Sequence, residues 1–269
     1  MTRYFAFGCS YVQWKWPVIP DFIAANFDQY YNCGRSGCSH QFILNNIVKI
    51  HEKYKFNPST DYITVGTTGF YRFDYPNDAV NYWQCHGDTY PGFDTHPEKS
   101  RIFSKNFDSY KWSIVRSLQA IKIIRLILNA IGVKYTIYHG VENHFNRLNL
   151  TDNEFDYYNE FIENLDIKES IDYFIIRTMC HEGMPEYNLF HGMTFDNGDY
   201  DSHPGYKIYY NYFKEHFPQF DTDLSRQRFQ YLDQNFDSSS MSAQAEKYNK
   251  FLAENTVDHK IIRSMIDEL

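Results

Sequence analysis

The chain has 269 residues, enough for one large α/β domain or for a domain with an appendage. Its formal charge of −8, with Lys and Arg scattered among acids, excludes the concentrated basic face that nucleic-acid phosphates require. A hydrophobic content of 43% excludes a disordered polymer, and no apolar run reaches membrane-spanning length.

The start, Met1-Thr2-Arg3-Tyr4-Phe5, has no apolar h-region and no cleavage site, so the expected location is cytoplasmic or virion-associated, with no membrane partner. Cys9, Cys33, Cys38, Cys85 and Cys180 are odd in number and widely spaced, which reads as small buried thiols in a reducing compartment. Aromatic residues make up 19% of the chain. A/T-rich codon bias accounts for the total; local clusters are where a ring-rich binding surface is expected.

In chain order, Arg3 to Phe7 is a short apolar strand that ends at Gly8-Cys9-Ser10. A helix follows over Pro17 to Phe27, with proline near its start where the missing N–H costs little. Gln29 to Tyr31 is the second strand, running into Asn32-Cys33-Gly34-Arg35-Ser36-Gly37. Ser39 caps the next helix, in which Ile43, Ile47 and Ile50 recur at helical spacing. Asp61 to Val65 is the third strand and ends at Gly66-Thr67-Thr68-Gly69.

Phe70 to Tyr110 is aromatic and aperiodic, and reads as an insertion over the site. An amphipathic helix from about Trp112 to Ile131 carries Ile114, Leu118, Ile121 and Leu128 on one face and stops at Gly132. Lys134 to Tyr138 is the fourth strand. Thr151-Asp152-Asn153-Glu154 has capping-box form and opens a helix. Asp172 to Arg177 is read as the fifth strand, and Pro204 to Phe217 as a helix closed by Pro218. Beyond it lies a polar tail, Gln219 to Leu269, with helices expected at Ser242 to Glu254 and Val257 to Leu269; it packs on the body or mediates assembly.

This alternation predicts an α/β fold with a five-stranded parallel sheet and helices on both faces. Such sheets carry their sites in the loops after the carboxyl ends of the strands. Ser10, just past the first strand, is therefore a candidate nucleophile whose N–H, near a helix start, stabilises a developing anion. Gly-x-Ser taken alone fits a plain turn serine better. Gly37 offers a backbone N–H that approaches a ligand closely, and it equally fits a tight strand-to-helix turn. In Asp201-Ser202-His203-Pro204-Gly205 a carboxylate stands beside an imidazole, as a general base needs for its tautomer and charge.

The ordered set resembles the SGNH (GDSL-like) hydrolase superfamily over roughly Arg3 to Phe217. Gly8-Cys9-Ser10 stands where that family has Gly-Asp-Ser, Gly37 where it has the oxyanion glycine, and Asp201-x-His203-Pro204 near its Asp-x-x-His-Pro. Phe7-Gly8-Cys9-Ser10 with Trp16-Pro17 is most similar to virus-encoded members, which also have an arginine where Arg72 lies. The resemblance implies a flavodoxin-like three-layer sandwich spanning residues 1–218, with residues 219–269 as a helical C-terminal extension. It implies Ser10 as nucleophile, His203 as base and Gly37 as oxyanion donor. Three positions depart from the pattern. Cys9 replaces the Asp. Thr68 lies where the family has an oxyanion Asn, and its hydroxyl is expected to donate in place of that amide. The acid precedes His203 by two residues, Asp201, with Asp199 as the alternative, since Tyr200 holds the third position.

His139 and His181 follow the fourth and fifth predicted strands and are candidate substrate contacts, although ordinary loop placement fits them better. Neither belongs to a metal-ligand pattern. Tyr75, Tyr82 and Trp83 suit sugar stacking, an acyl chain, or packing of the insertion. The resulting expectation is a serine esterase acting on an O-acylated carbohydrate or small-molecule ester, with no cofactor and no metal. The alternative is a weak or inactive scaffold that binds glycans or builds a virion. Self-association or particle assembly is expected to run through the C-terminal extension. A Rossmann-type nucleotide binder is disfavoured, because no G-x-G-x-x-G follows the first strand.

Overall fold

The computed structural model describes residues 1–12, 17–70, 72–77, 82–88, 110–141, 152–182, 203 and 205–235. Its centre is a parallel sheet in the order β2-β1-β3-β6, built from β1 (Arg3–Phe7), β2 (Gln29–Asn32), β3 (Asp61–Gly66) and β6 (Lys134–Tyr138). The register pairs Phe5 with Tyr31 and Ile63, and Val65 with Ile137. All four strands therefore end at one edge, where their loops gather.

Strand alternation divides the core into two layers. Tyr4, Ala6, Tyr30 and Tyr138 face one side, against α1 (Ile19–Ile23), α5 (Ile171–Glu182), α6 (Tyr206–His216) and α7 (Asp223–Asn235). Phe5, Phe7, Tyr31, Ile63, Val65 and Ile137 face the other, against α2 (His40–Tyr54), α3 (Tyr110–Ile131) and α4 (Asp152–Glu163). Burial on both faces of the sheet explains why apolar and aromatic residues dominate the strands rather than alternating with polar ones. The predicted Ser39 cap is present, with its side chain accepting from the N–H groups of Gln41 and Phe42. Gly132 closes α3, its N–H bonding the carbonyls of Leu128 and Asn129.

The predicted fifth strand is corrected. Asp172 to Arg177 lies inside the helix α5. Ile171, Phe174 and Ile175 are buried at helical spacing, Tyr173 is 52% exposed, and Ser170 Oγ accepts the Tyr173 N–H as a cap. A short apolar run with β-branched residues does not by itself separate a strand from a buried helix turn. Among the described residues, the edge beyond β6 carries only one parallel bridge, Tyr138 to Ile167. There the N–H groups of Asp166 and Ile167 bond Ile137 O, and the His139 N–H bonds Ile167 O.

Part of the predicted insertion is an antiparallel hairpin, β4 (Arg72–Asn77) and β5 (Tyr82–Asp88), forming a sheet of its own. The segment expected to be polar tail begins with α7, which packs on the body. Leu232 is fully buried, the buried Arg228 guanidinium donates to Asp21 O, and Asn26 Nδ2 donates to Phe220 O at 3.0 Å. The helices expected at Ser242 to Glu254 and Val257 to Leu269, and Thr151 of the predicted capping box, lie outside the described residues. Among the described residues no helix is long and apolar enough to cross a membrane.

Candidate active site

Where β1 ends, the chain turns sharply through Gly8-Cys9-Ser10, closed by the Val12 N–H on Cys9 O at 2.9 Å. Gly8 is required there. Its φ is +154°, and a Cβ would lie 2.4 Å from Val12 Cγ2 and 2.8 Å from Gly66 O. The turn leaves Ser10 only 3% exposed. The following helix, expected to start near Pro17, begins only at Ile19 and is short, so Ser10 lies outside its first turn. Stabilisation of an anion at Ser10 thus falls to individual amides rather than to a helix terminus.

The second loop is tied to the first. Gly8 O accepts the Arg35 N–H at 2.8 Å and the Cys38 S–H at 3.3 Å. Asn32, at the end of β2, donates to Val12 O at 2.9 Å and accepts the Gly34 N–H at 3.0 Å. Within this loop Gly37 has φ +73°, a left-handed conformation that glycine adopts freely. Among the described residues, the amide N–H groups of Ser10 and Gly37 have no hydrogen-bond acceptor.

The third loop supplies Thr68, which is fully buried. Its N–H donates to His40 Nε2 at 3.2 Å, its hydroxyl donates to Cys38 O at 3.0 Å, and it accepts from Arg72 Nη1 at 2.6 Å. The hydroxyl proton expected for an oxyanion is therefore engaged by the carbonyl next to Gly37. Arg72 lies at the start of β4, and its own carbonyl accepts from Arg116 at 2.8 Å. Two residues on, the Asp74 carboxylate accepts the N–H and the hydroxyl of Ser39.

His203 is partly buried, with its ring centroid 5.5 Å from that of Tyr11, the neighbour of Ser10. Tyr11 also donates its hydroxyl to Asp172 Oδ1 at 2.7 Å. Burial, then the Asp172 charge, raise the Tyr11 phenol well above its ordinary range, so it stays a donor. Asp201, Asp199, Tyr200 and Pro204 lie outside the described residues, as does the His181 side chain.

His139 is not at the surface. It is 2% exposed, with Nδ1 3.4 Å from Lys168 O and Nε2 without a partner, and burial lowers its pKa to about 4. His40 is 1% exposed, and its pKa falls to about 3, through burial first and then the charges of Arg116 and Arg72. Both rings meet Phe161 edge-on. Cys9, Cys33 and Cys38 are buried free thiols. Among the described residues, the one group with metal-ligand spacing is Glu169, Glu215 and His216. There Arg177 pairs with both carboxylates, at 2.8 Å and 2.7 Å, and already supplies the positive charge.

The loops that carry Ser10, Gly37 and Thr68 thus open at one sheet edge and are joined through Gly8 O and the Cys38 backbone, with Arg72 bonded to Thr68 and the His203 ring beside Tyr11. The sequence reasoning missed Tyr11 with Asp172, and it missed His40. Tyr11 adjoins the candidate nucleophile, but its partner is 161 positions away, and no local pattern marks such a pair.

No protein-family model matches this chain, and no curated protein matches it. Several solved structures are similar to it, among them two from Bacteroides species. One, described as a GDSL-like lipase from Bacteroides thetaiotaomicron, is 14% identical with a TM-score of 0.36, over 81% of this chain and 86% of that one. The other, described as an acylhydrolase from Bacteroides fragilis, is 12% identical with a TM-score of 0.38, over 83% of this chain and 88% of that one. Overlap this loose has no bearing on what the chain does.

Proposed function

We propose that the chain is a serine ester hydrolase of the SGNH type. The observation that supports the reading is that the loop carrying Gly37 is tied to the Gly8-Cys9-Ser10 turn through Gly8 O, with the Ser10 and Gly37 amides uncommitted and the His203 ring 5.5 Å from that of Tyr11, the neighbour of Ser10. Ser10 Oγ attacks the ester carbonyl while His203, oriented by Asp201, accepts the hydroxyl proton. The Ser10 and Gly37 N–H groups hold the developing oxyanion. His203 then protonates the leaving alkoxide. Water hydrolyses the acyl-enzyme with His203 again as base, which regenerates the Ser10 hydroxyl and releases the acid.

The proposed substrate is an O-acyl ester of a carbohydrate. Its support is the β4–β5 hairpin, which follows directly on the third site loop and carries Tyr75, Tyr82 and Trp83 in its sequence. A second reading, a catalytically weak scaffold that binds glycans or serves in a virion, draws on the engaged Thr68 hydroxyl, which leaves the oxyanion one donor fewer. The test is turnover of p-nitrophenyl acetate and acetylated glycans by wild type and Ser10→Ala. Activity lost with Ser10 supports the esterase. Glycan binding with no Ser10-dependent turnover of any ester replaces it with the second reading.

A further inference from the structure

β4 reaches back into the site loops at two points. Arg72 Nη1 donates to the Thr68 hydroxyl at 2.6 Å, and that hydroxyl donates in turn to Cys38 O at 3.0 Å. The Asp74 carboxylate takes the Ser39 N–H at 3.1 Å and 3.2 Å, and also the Ser39 hydroxyl. Ser39 caps α2, so the negative charge of Asp74 lies at that helix's positive end. The two residues that follow Gly37 are therefore held from the hairpin side. From the sheet side, Gly8 O holds the Arg35 N–H and the Cys38 S–H. Gly37 is spanned by these fixed points, with its N–H uncommitted.

The directions of these bonds decide what Thr68 does. A hydroxyl has one proton, and here the neighbouring carbonyl takes it while Arg72 occupies a lone pair. Turning that proton toward a substrate oxygen would break the bond to Cys38 O. We infer that Thr68 and Arg72 are positioning residues that latch the Gly37 loop, so that the Gly37 amide is preset for an oxyanion; this rests on the Ser10 esterase reading. The hairpin is then a strut for the oxyanion loop rather than only a cover. Where the resembled family has an oxyanion Asn, Thr68 fixes another donor instead of supplying one.

Thr68→Val keeps the shape and removes the hydroxyl, Thr68→Ser keeps the hydroxyl, and Arg72→Gln tests the anchor at a partly exposed side chain should Thr68→Val not fold. Two readouts are taken: hydrolysis of p-nitrophenyl acetate, and hydrogen–deuterium exchange of segment 33–42. The latch predicts that Thr68→Val and Arg72→Gln lower kcat by roughly tenfold to a hundredfold with KM within about twofold, because a displaced donor weakens the transition state most. It predicts faster exchange of segment 33–42 in both variants, and recovery of rate and protection in Thr68→Ser. A fall in rate with unchanged exchange overturns the latch in favour of direct contact between Thr68 and the oxyanion. Unchanged rate and exchange overturn it as well. If the wild type hydrolyses no ester, the esterase reading fails, and exchange of segment 33–42 still decides whether Thr68 and Arg72 hold the loop.

Discussion

Two imidazoles lie in the interior beneath the candidate site, and acid is expected to reach the fold through them. Folding carries His40 from an ordinary pKa of 6.5 to about 3 and His139 to about 4, in both cases mainly through burial. His40 also accepts the Thr68 N–H through Nε2, a bond that needs the unprotonated nitrogen. The folded state therefore binds neither proton until the pH nears 4, whereas the unfolded chain binds both as the pH falls through 6.5. Stability is full above that upper value and is lost on the way down. Each imidazole contributes a slope of about 1.4 kcal/mol per pH unit, and over two units below 6.5 the pair removes roughly 5 kcal/mol. That is a large share of the roughly 5–15 kcal/mol that holds a domain together.

The assay is urea unfolding followed by intrinsic fluorescence from neutral pH down to about 4.5, on wild type and His40→Gln. Glutamine keeps an acceptor for the Thr68 N–H and takes up no proton. The variant is expected to be less stable at neutral pH, through altered packing, yet shallower in its pH dependence by about 1.4 kcal/mol per unit. Equal slopes in the two proteins would refute the reasoning.

Three further outcomes are expected. Gly8→Ala should destabilise by about 2 kcal/mol or more, since the new methyl meets Val12 and Gly66 O at a φ of +154°; an unchanged Tm would contradict the close approach. Tyr11→Phe removes the hydroxyl donor to Asp172 and should cost about 1 kcal/mol in urea unfolding while lowering kcat through His203. A variant with both values unaltered would show that the Tyr11 hydroxyl holds nothing. Leu232→Ala should cost about 2–5 kcal/mol if α7 belongs to the body, and nothing measurable in thermal unfolding if that helix is loosely attached.

Much of the fold was legible because its signals are local. β1 and β6 have the predicted bounds, β2 and β3 run one residue further, and Ser39 caps α2 as its hydroxyl and the following apolar spacing imply. Asp172 to Arg177 differs from the expected strand because its four apolar residues, Tyr173 to Ile176, have no period long enough to choose. The choice was made by Ser170 as a cap and by burial of Ile171, Phe174 and Ile175 against the Tyr138 side of the sheet. α7 escaped notice because its anchors, Arg228 on Asp21 O and Leu232 in the core, stand among polar neighbours. At the site, strand-end position drew Ser10 and Gly37 out of the sequence, the Asp201-x-His203 pair before a helix drew His203, and the family resemblance drew Thr68. The direction of the Thr68 hydrogen bonds was not legible, since it depends on where the Cys38 carbonyl and Arg72 fall in space. From the sequence, His139 is a loop residue with substrate contact as a lesser alternative, not a buried one. Its burial comes from Phe161 and from the crossing of Lys168, both of which only the folded chain brings to it.

The central claim is that Ser10 is an activated nucleophile. A fluorophosphonate probe followed by trypsin and mass spectrometry tests it directly, since cleavage after Arg3 and Lys15 isolates Tyr4–Lys15, which carries Ser10. The account predicts one covalent adduct per chain on that peptide, absent from Ser10→Ala and formed much more slowly by His203→Ala. A folded wild-type protein that takes no adduct there, or takes it on another serine, would contradict it.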